Sequence, residues 1–130
     1  MNAQALVDQR GDLWLALAPL WLDREPRETD YIRMIEVIQR HDVTLRELEW
    51  IFRLELAPVM SRRQLSLVGE WKGLDDYQLM RQLVAHNLRL RGWRRGWWTL
   101  FSGLTTMMAR QRWIELMERL MIRRGDDVAP

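Results

Sequence analysis

The chain has 130 residues, no cysteine and a formal net charge of +2. This length is sufficient for one domain with one hydrophobic core, in which roughly two thirds of the unfolded surface becomes buried. The absence of cysteine excludes a disulfide-stapled secreted fold and a thiolate metal site, and it favours a reducing, cytoplasmic setting.

Hydrophobic periodicity predicts helices throughout the N-terminal part of the chain. Residues 2–22 are expected to be helical in one or two pieces, with a break at Gly11 and a kink or an end at Pro19. A second helix is predicted from Thr29 or Asp30 to about residue 40, with Tyr31, Met34, Ile35 and Ile38 facing inward.

The clearest helix boundary in the sequence precedes the third predicted helix. Residues 44–47 read T-L-R-E, which fits the capping box in which Thr44 and Glu47 satisfy free amide groups at a helix start. This helix is expected to end near Leu56. The short link before it predicts that helices two and three pack as antiparallel neighbours.

Helical periodicity lapses in the centre of the chain, and an irregular loop is predicted over residues 57–74. The loop contains Gly69 and Gly73, and Pro58 is expected in the first turn of a short helix. Glu55 would then lie in the last turn of helix three, where the helix dipole disfavours an anion. We therefore expect Glu55 to accept hydrogen bonds from backbone amides or an arginine in the segment 69–71.

The C-terminal part of the chain is predicted to contain the remaining helices of an all-α fold. A fourth helix begins at Asp75 or Asp76, and a short fifth helix carries Trp97, Trp98, Phe101 and Leu104. A last helix runs from about residue 105 to residue 124, and residues 125–130 form a frayed tail. The expected architecture is a compact single-domain bundle of five to seven helices over residues 1–124.

Two segments carry a resemblance to a known group of proteins. Residues 55–59 read E-L-A-P-V and residues 69–75 read G-E-W-K-G-L-D, while residues 14–23 read W-L-A-L-A-P-L-W-L-D. These segments resemble an uncharacterised family of small bacterial proteins with an E-x-A-P-V … G-E-W-x-G-F-D signature. The resemblance covers residues 14–76. It implies an all-helical fold, and the family brings no established activity.

The sequence offers little support for catalysis. His41 and His86 are the only histidines and have no partners at metal-ligand spacing, and no glycine-rich phosphate loop is present. Neighbouring carboxylates such as Asp75 and Asp76 are better explained as helix caps and solvated charges. We therefore expect a protein without catalytic residues, metal or other cofactor.

The charge is unevenly distributed along the chain. Residues 1–80 contain ten basic and fourteen acidic side chains, whereas residues 81–124 contain ten basic and two acidic ones. The basic part includes the segment R-L-R-G-W-R-R-G-W-W at residues 89–98. The uncharged interval 96–109 is shorter than the roughly 20 residues that span a bilayer, and it fits a buried or interfacial helix.

This basic segment admits several interpretations. The helical spacing of its aromatic residues favours core packing with a solvated arginine face, and a protein-binding surface comes second. Contact with a membrane surface or with nucleic acid is less favoured. Glu70 and Trp71 are likewise either a buried loop anchor or a contact with a ligand or partner.

The function expected from the sequence is protein binding without catalysis, most concretely as an immunity-type or antitoxin-like inhibitor of a bacterial toxin. The alternative is a peripheral membrane protein that uses residues 89–108, whereas nucleic-acid binding is not favoured. The oligomeric state and the identity of the partner stay open. The candidate partner-binding residues are Glu70, Trp71, Arg91, Arg94, Arg95 and Trp98. The candidate structural residues are Glu55, Pro58, Gly69, Gly73 and Asp75.

Overall fold

The computed structural model describes residues 2–21, 25–66 and 76–128, and within these ranges all regular structure is helical. Residues 45–66 run without interruption as one long helix with a π-helical middle, here called the central rod, so the described residues contain seven helices. The prediction of an all-α fold with five to seven helices is confirmed. The elements are α1 (Ala3–Leu17), a 3₁₀ turn (Ala18–Trp21), α2 (Glu28–His41), α3 (Leu45–Trp50), a π-helical segment (Ile51–Leu56), α4 (Ala57–Ser66), α5 (Asp76–Leu88), α6 (Trp93–Leu100), α7 (Ser102–Thr105) and α8 (Arg110–Val128).

The first helix is continuous across Gly11, so the predicted break there is wrong. Gly11 is buried where α1 crosses α5, and a Cβ atom at this position would lie 3.1 Å from the Met80 Cε atom. The glycine therefore allows close helix packing instead of a turn. The prediction for Pro19 is confirmed, because α1 ends at Leu17 and continues only as a 3₁₀ turn.

Side-chain caps fix the start of α3 and of α2. The Glu47 backbone amide donates to Thr44 Oγ1 at 3.1 Å, which confirms the threonine half of the predicted capping box. The Glu47 carboxylate instead accepts from the Thr44 hydroxyl at 3.2 Å. At the start of α2, the Arg27 amide donates to Asp30 Oδ2 at 2.8 Å. Each contact satisfies an amide that has no partner within its own helix.

The central rod differs from the sequence prediction, because residues 57–66 are α-helical instead of part of a loop. The physical reason is the π-helical segment that precedes Pro58. Within it the Ala57 amide donates to the carbonyl of Phe52, five residues back. The wider turn admits a proline inside a continuous helix, since π-helical turns occur at such local interruptions. Residues 67–75, including the predicted loop positions Gly69, Gly73 and Asp75, lie outside the described residues.

The hydrophobic core is formed by residues of α1, the 3₁₀ turn, α2, the central rod, α5 and α8. The Phe52 ring stacks on Trp113 with ring centroids 4.1 Å apart, and the centroid of the Trp21 ring lies 5.2 Å from that of Phe52. Trp14 and Trp21 are both completely buried. Aromatic rings of this size dominate the burial of apolar area, so they anchor α1, the 3₁₀ turn, the rod and α8 to one another.

A polar cluster connects α2 to α8. The Tyr31 hydroxyl donates to Glu115 Oε2 at 2.9 Å, and the Arg119 guanidinium lies 4.2 Å from the centre of the Tyr31 ring. Arg119 also forms an ion pair with Glu28. Burial, followed by the hydrogen bond to Glu115, raises the pKa of Tyr31 to about 12. These contacts fix the last helix against the second one.

Candidate functional site

Glu55 lies in the π-helical segment of the rod and is held by α1. Its Oε1 atom accepts a hydrogen bond from Trp14 Nε1 at 2.9 Å and another from Arg10 Nε at 3.2 Å. The donors predicted in the segment 69–71 lie outside the described residues. Among the described residues, the donors to Glu55 come from α1. Glu55 is also not in the last turn of a helix, since the rod continues to Ser66. It therefore joins α1 to the rod.

Pro58 leaves a backbone carbonyl in the rod that α5 satisfies. Proline has no amide hydrogen, so it cannot donate to Leu54 four residues earlier. His86 Nε2 lies 2.8 Å from the Leu54 oxygen, and because a carbonyl oxygen only accepts, Nε2 is the donor. Asn87 Nδ2 donates to the adjacent Glu55 carbonyl at 3.3 Å. Two polar residues of α5 thus donate hydrogen bonds to backbone carbonyls at the helix interruption in the rod.

His86 is buried, with 8% of its surface exposed, and it also contacts α6. The edge of its ring meets Trp98 with centroids 5.6 Å apart. Burial lowers the pKa of His86, and the positive charges of Arg62 and Arg94 lower this pKa further, against the opposing effect of the bond to Leu54. The folded protein therefore favours a neutral His86 that carries its proton on Nε2.

A cleft of about 420 Å³ opens above His86 between α4, α5 and α6. We call it the arginine cleft, because Arg62, Arg89 and Arg94 line it together with His86 and Trp98. No carboxylate in the described part of the chain forms an ion pair with any of the three arginines. The remaining lining residues are Val59, Gln82, Ala85 and Leu90.

Arg62 is the most constrained of these arginines. Its Nε atom donates to the Pro58 carbonyl at 3.0 Å, and its guanidinium carbon lies 5.7 Å from the centre of the Trp98 ring. Both contacts orient the guanidinium plane. Arg62 follows Pro58 by one helical turn in the same helix.

The helix α6 contains no buried residue. Six large apolar side chains on α6 and in the segment that follows it are between 52% exposed, at Trp97, and 77% exposed, at Leu100. The prediction of core packing for this segment is therefore wrong for Trp97 and Leu104, which are 52% and 65% exposed, although the Trp97 ring contacts Phe101 with ring centroids 4.6 Å apart. We call this exposed apolar set the tryptophan face. Its members are Trp93, Trp97, Leu100, Leu104, Met107 and Met108.

The structure places two of the predicted binding residues in the arginine cleft and two outside it. Arg94 and Trp98 are four residues apart and both line the arginine cleft, whereas Arg91 and Arg95 are exposed outside it. Glu70 and Trp71 lie outside the described residues. The sequence prediction missed Arg62 and Arg89 and assigned no role to His86. A proline with an arginine four residues later was a usable signal for Arg62, because the proline alters the hydrogen bonding of its helix.

The described ranges contain no group of three or more histidine, aspartate or glutamate side chains that could hold a metal ion. Within the same ranges, no helix has both the length and the apolar character that crossing a bilayer requires.

Comparison with known proteins gives one match. No curated protein and no solved structure matches the chain. The sequence profile of a domain of unknown function, DUF7079, matches residues 8–119, which is most of the chain and includes both the arginine cleft and the tryptophan face. The chain therefore belongs to the DUF7079 family.

Proposed function

We propose that this protein is a binding module without catalytic activity, which inhibits a partner protein by covering it, as an immunity protein or antitoxin covers a bacterial toxin. The observation that carries the proposal is the tryptophan face, half of whose members lie on α6, a helix with no buried residue. Soluble proteins rarely expose a contiguous apolar patch unless another molecule covers it.

The composition of the tryptophan face favours a protein partner. Trp93 and Trp97 are large, rigid side chains, and Met107 and Met108 can adapt to an uneven surface. Arg94 lies 5.3 Å from the centre of the Trp93 ring, so a cation accompanies the exposed aromatic surface. Tryptophan, methionine and arginine are the residues enriched where protein interfaces bury most binding energy.

The charge around the tryptophan face indicates the chemistry of the partner. Residues 77–114 contain no aspartate or glutamate, whereas arginine occupies positions 81, 89, 91, 94, 95, 110 and 112. A complementary partner has an apolar groove with an acidic rim, because such a rim attracts the arginines during association. The partner we propose is therefore a protein with an acidic surface.

The inhibitory role, the bacterial origin and the cytoplasmic setting are supported by the sequence alone. The chain is small, lacks cysteine and resembles a family of small bacterial proteins with the signature described above. A short chain without catalytic residues can affect a larger enzyme by occluding it, which requires only a well-formed interface.

The test is affinity capture of the tagged full-length protein from its own cells at moderate salt, followed by reconstitution with the purified partner. The face variant combines Trp93→Ser and Trp97→Ser, and the control combines Met121→Ser and Ile122→Ser, which removes exposed apolar side chains from α8. We expect the wild type and the control to retain one stoichiometric protein that the face variant loses. Co-expression should suppress the growth inhibition caused by that partner.

Two results would contradict this proposal. The first is a face variant that retains the partner as well as the wild type does, because the tryptophan face would then not be the interface. The second is recovery of nucleic acid alone, released as the salt concentration rises, because electrostatic contacts to phosphates would then account for the binding.

A membrane surface is the second candidate, and one observation favours it. The exposed side chains of Leu100, Leu104, Met107 and Met108 lie in the uncharged interval between Arg95 and Arg110. An apolar surface flanked by arginines is typical of segments that lie in the headgroup region. This candidate predicts that the protein co-sediments with phosphatidylglycerol vesicles but not with phosphatidylcholine vesicles, and that the face variant stays in solution.

A further inference from the structure

We propose that the arginine cleft is a binding site for a compact oxyanion, such as a phosphate group, held by Arg62, Arg89 and Arg94 beside His86. This site adjoins the proposed protein interface and shares Arg94 with it, but Trp93 and Trp97 do not line the cleft.

The first argument is the convergence of positive charge. Arg62 comes from α4, Arg89 follows the end of α5, and Arg94 belongs to the first turn of α6, so the fold and not a run of basic residues brings them to one cleft. The described residues place no acidic side chain in this cleft. Like charges repel one another, and the attraction of an anion placed between them offsets this repulsion, so an anion in the cleft stabilises this arrangement.

The second argument is the orientation of Arg62. Its Nε atom is engaged by the Pro58 carbonyl, and its guanidinium lies over Trp98. The two terminal nitrogens bond to no residue in the described ranges. A guanidinium with free terminal nitrogens presents two parallel donors, which match two oxygens of a phosphate or carboxylate group. Because Arg62 is already oriented, little conformational entropy is lost on binding.

The third argument is the form of the cleft. It is concave, with buried Val59 and His86 among its lining residues and the exposed guanidinium groups around them. A volume of about 420 Å³ exceeds that of a phosphate ion and lies within the usual range of small-molecule sites, roughly 300–1,000 Å³. The site can therefore accept a phosphate group together with a small organic group attached to it.

His86 provides a specific reporter of such a ligand. The charged groups that face its ring are Arg62 from α4 and Arg94 from α6, while the Leu54 carbonyl of the rod binds Nε2. An anion between the arginines offsets their positive charge at the imidazole and favours the protonated ring. Binding of an oxyanion is thus expected to raise the pKa of His86.

The experiment is a titration of the full-length protein with inorganic phosphate, followed by NMR of histidine labelled with ¹³C at Cε1. The chain has two histidines, and His41 does not line the cleft, so it is an internal control. In the wild type we expect a saturable shift of the His86 signal and a rise of its pKa with phosphate. Intrinsic fluorescence is unsuitable, because the chain has eight tryptophans.

Matched variants distinguish a site from general attraction to a basic surface. We expect Arg62→Gln and Arg94→Gln each to weaken phosphate binding about tenfold, the effect of losing one charge-assisted contact. Arg95→Gln removes the same charge from α6 outside the cleft and is expected to change the affinity less than about twofold, since exposed charges act weakly through solvent. Arg62→Lys keeps the positive charge but lacks the two parallel guanidinium donors, and it should bind phosphate with intermediate affinity.

The outcome that overturns the proposal is a His86 signal that does not saturate, or a loss of affinity as large in Arg95→Gln as in Arg94→Gln. Vesicles of phosphatidylglycerol separate two sources of the phosphate group. If a lipid headgroup occupies the cleft, Arg62→Gln also weakens vesicle binding about tenfold. If the ligand is soluble, Arg62→Gln weakens the binding of free phosphate and leaves vesicle binding unchanged.

Discussion

Two pairs of tryptophans in this protein lie at helical spacing and have opposite environments. Trp14 and Trp21 are both 0% exposed, whereas Trp93 and Trp97 are 74% and 52% exposed. The first pair connects α1 to the central rod, and the second pair is on the outer side of α6. Periodic spacing therefore shows which residues share a side of a helix, but not what that side contacts.

The difference between the pairs arises from their partners. The indole of Trp14 donates to Glu55, and the ring of Trp21 packs against Phe52, so the rod supplies both a polar and an apolar contact. The ring partner of Trp93 is instead the neighbouring Arg94 of the same helix. The buried pair serves stability, and the exposed pair is available to a partner molecule.

The largest expected difference between the two pairs is in how much the loss of one tryptophan lowers the free energy of unfolding. Trp14→Ala removes a buried ring and the donor to Glu55, and we expect it to lower the free energy of unfolding by about 3–5 kcal/mol. Trp97→Ala should change it by less than about 0.5 kcal/mol, because the ring is on the surface. Urea unfolding followed by circular dichroism measures both. A similar cost for the two variants would show that Trp97 belongs to the core.

Glu55 provides a test of how firmly the buried pair is connected to the rod. Glu55→Gln removes the charge that faces Arg10 and is expected to cost about 1–3 kcal/mol of stability, although the amide oxygen can still accept from Trp14. The matched control is Glu49→Gln in the same rod, where the ion pair with Arg53 spans 3.8 Å at the surface. It should cost less than about 0.5 kcal/mol. Equal unfolding midpoints for both variants would exclude a structural role for Glu55.

The sequence predicts those features that depend on neighbouring residues. The cap at Thr44, the end of α1 before Pro19 and the inward face of α2 at Tyr31 all follow from local patterns. The local propensities of Gly11 and Pro58 indicate interruptions, which predicts a helix break at Gly11 and, at Pro58, the first turn of a short helix within an irregular loop. Their actual roles depend on Met80 in α5 and on a π-helical turn, respectively, which a single helix pattern does not specify.

The candidate site was predictable to a smaller extent. Arg94 and Trp98 stood out because arginine and tryptophan alternate in their segment, but the sequence places them far from Arg62. Their convergence depends on the packing of α4 against α5 and α6. His86 gave no signal as an isolated histidine, because its partner, the Leu54 carbonyl, is a backbone group exposed by Pro58 in another helix.

His86 lies between the buried core around the rod and the exposed helix α6, since it binds the Leu54 carbonyl of the rod and contacts Trp98 of α6. His86→Leu removes the donor to the Leu54 carbonyl, whereas Pro58→Ala restores an amide hydrogen that this carbonyl can accept. A double-mutant cycle should therefore show a favourable coupling of about 1 kcal/mol, with the second substitution recovering part of the loss from the first. Additive effects would mean that Pro58 is not the reason why the Leu54 carbonyl needs His86 as a donor.

The smallest expected effect is a dependence of stability on pH that arises from the same residue. Because the pKa of His86 is lowered in the folded protein, the unfolded chain binds a proton first as the pH falls below about 6.5, its ordinary value. The contribution of His86 is complete above that pH and is lost as the pH falls towards the folded-state pKa. In phosphate-free buffer, the free energy of unfolding should decrease between pH 7.5 and pH 5.5, roughly the range over which histidine titrates.

Substitution by glutamine identifies the group responsible for this dependence. His86→Gln keeps a nitrogen donor near the Leu54 carbonyl but cannot titrate, so its stability should vary less with pH than that of the wild type. Addition of phosphate offers a sharper comparison, because an anion beside Arg62 and Arg94 raises the pKa of His86 in the folded state and so reduces the slope. If the free energy of unfolding of His86→Gln still varied with pH as in the wild type, another group would be responsible for the dependence. The stability of the rod would then not depend on the charge in the arginine cleft.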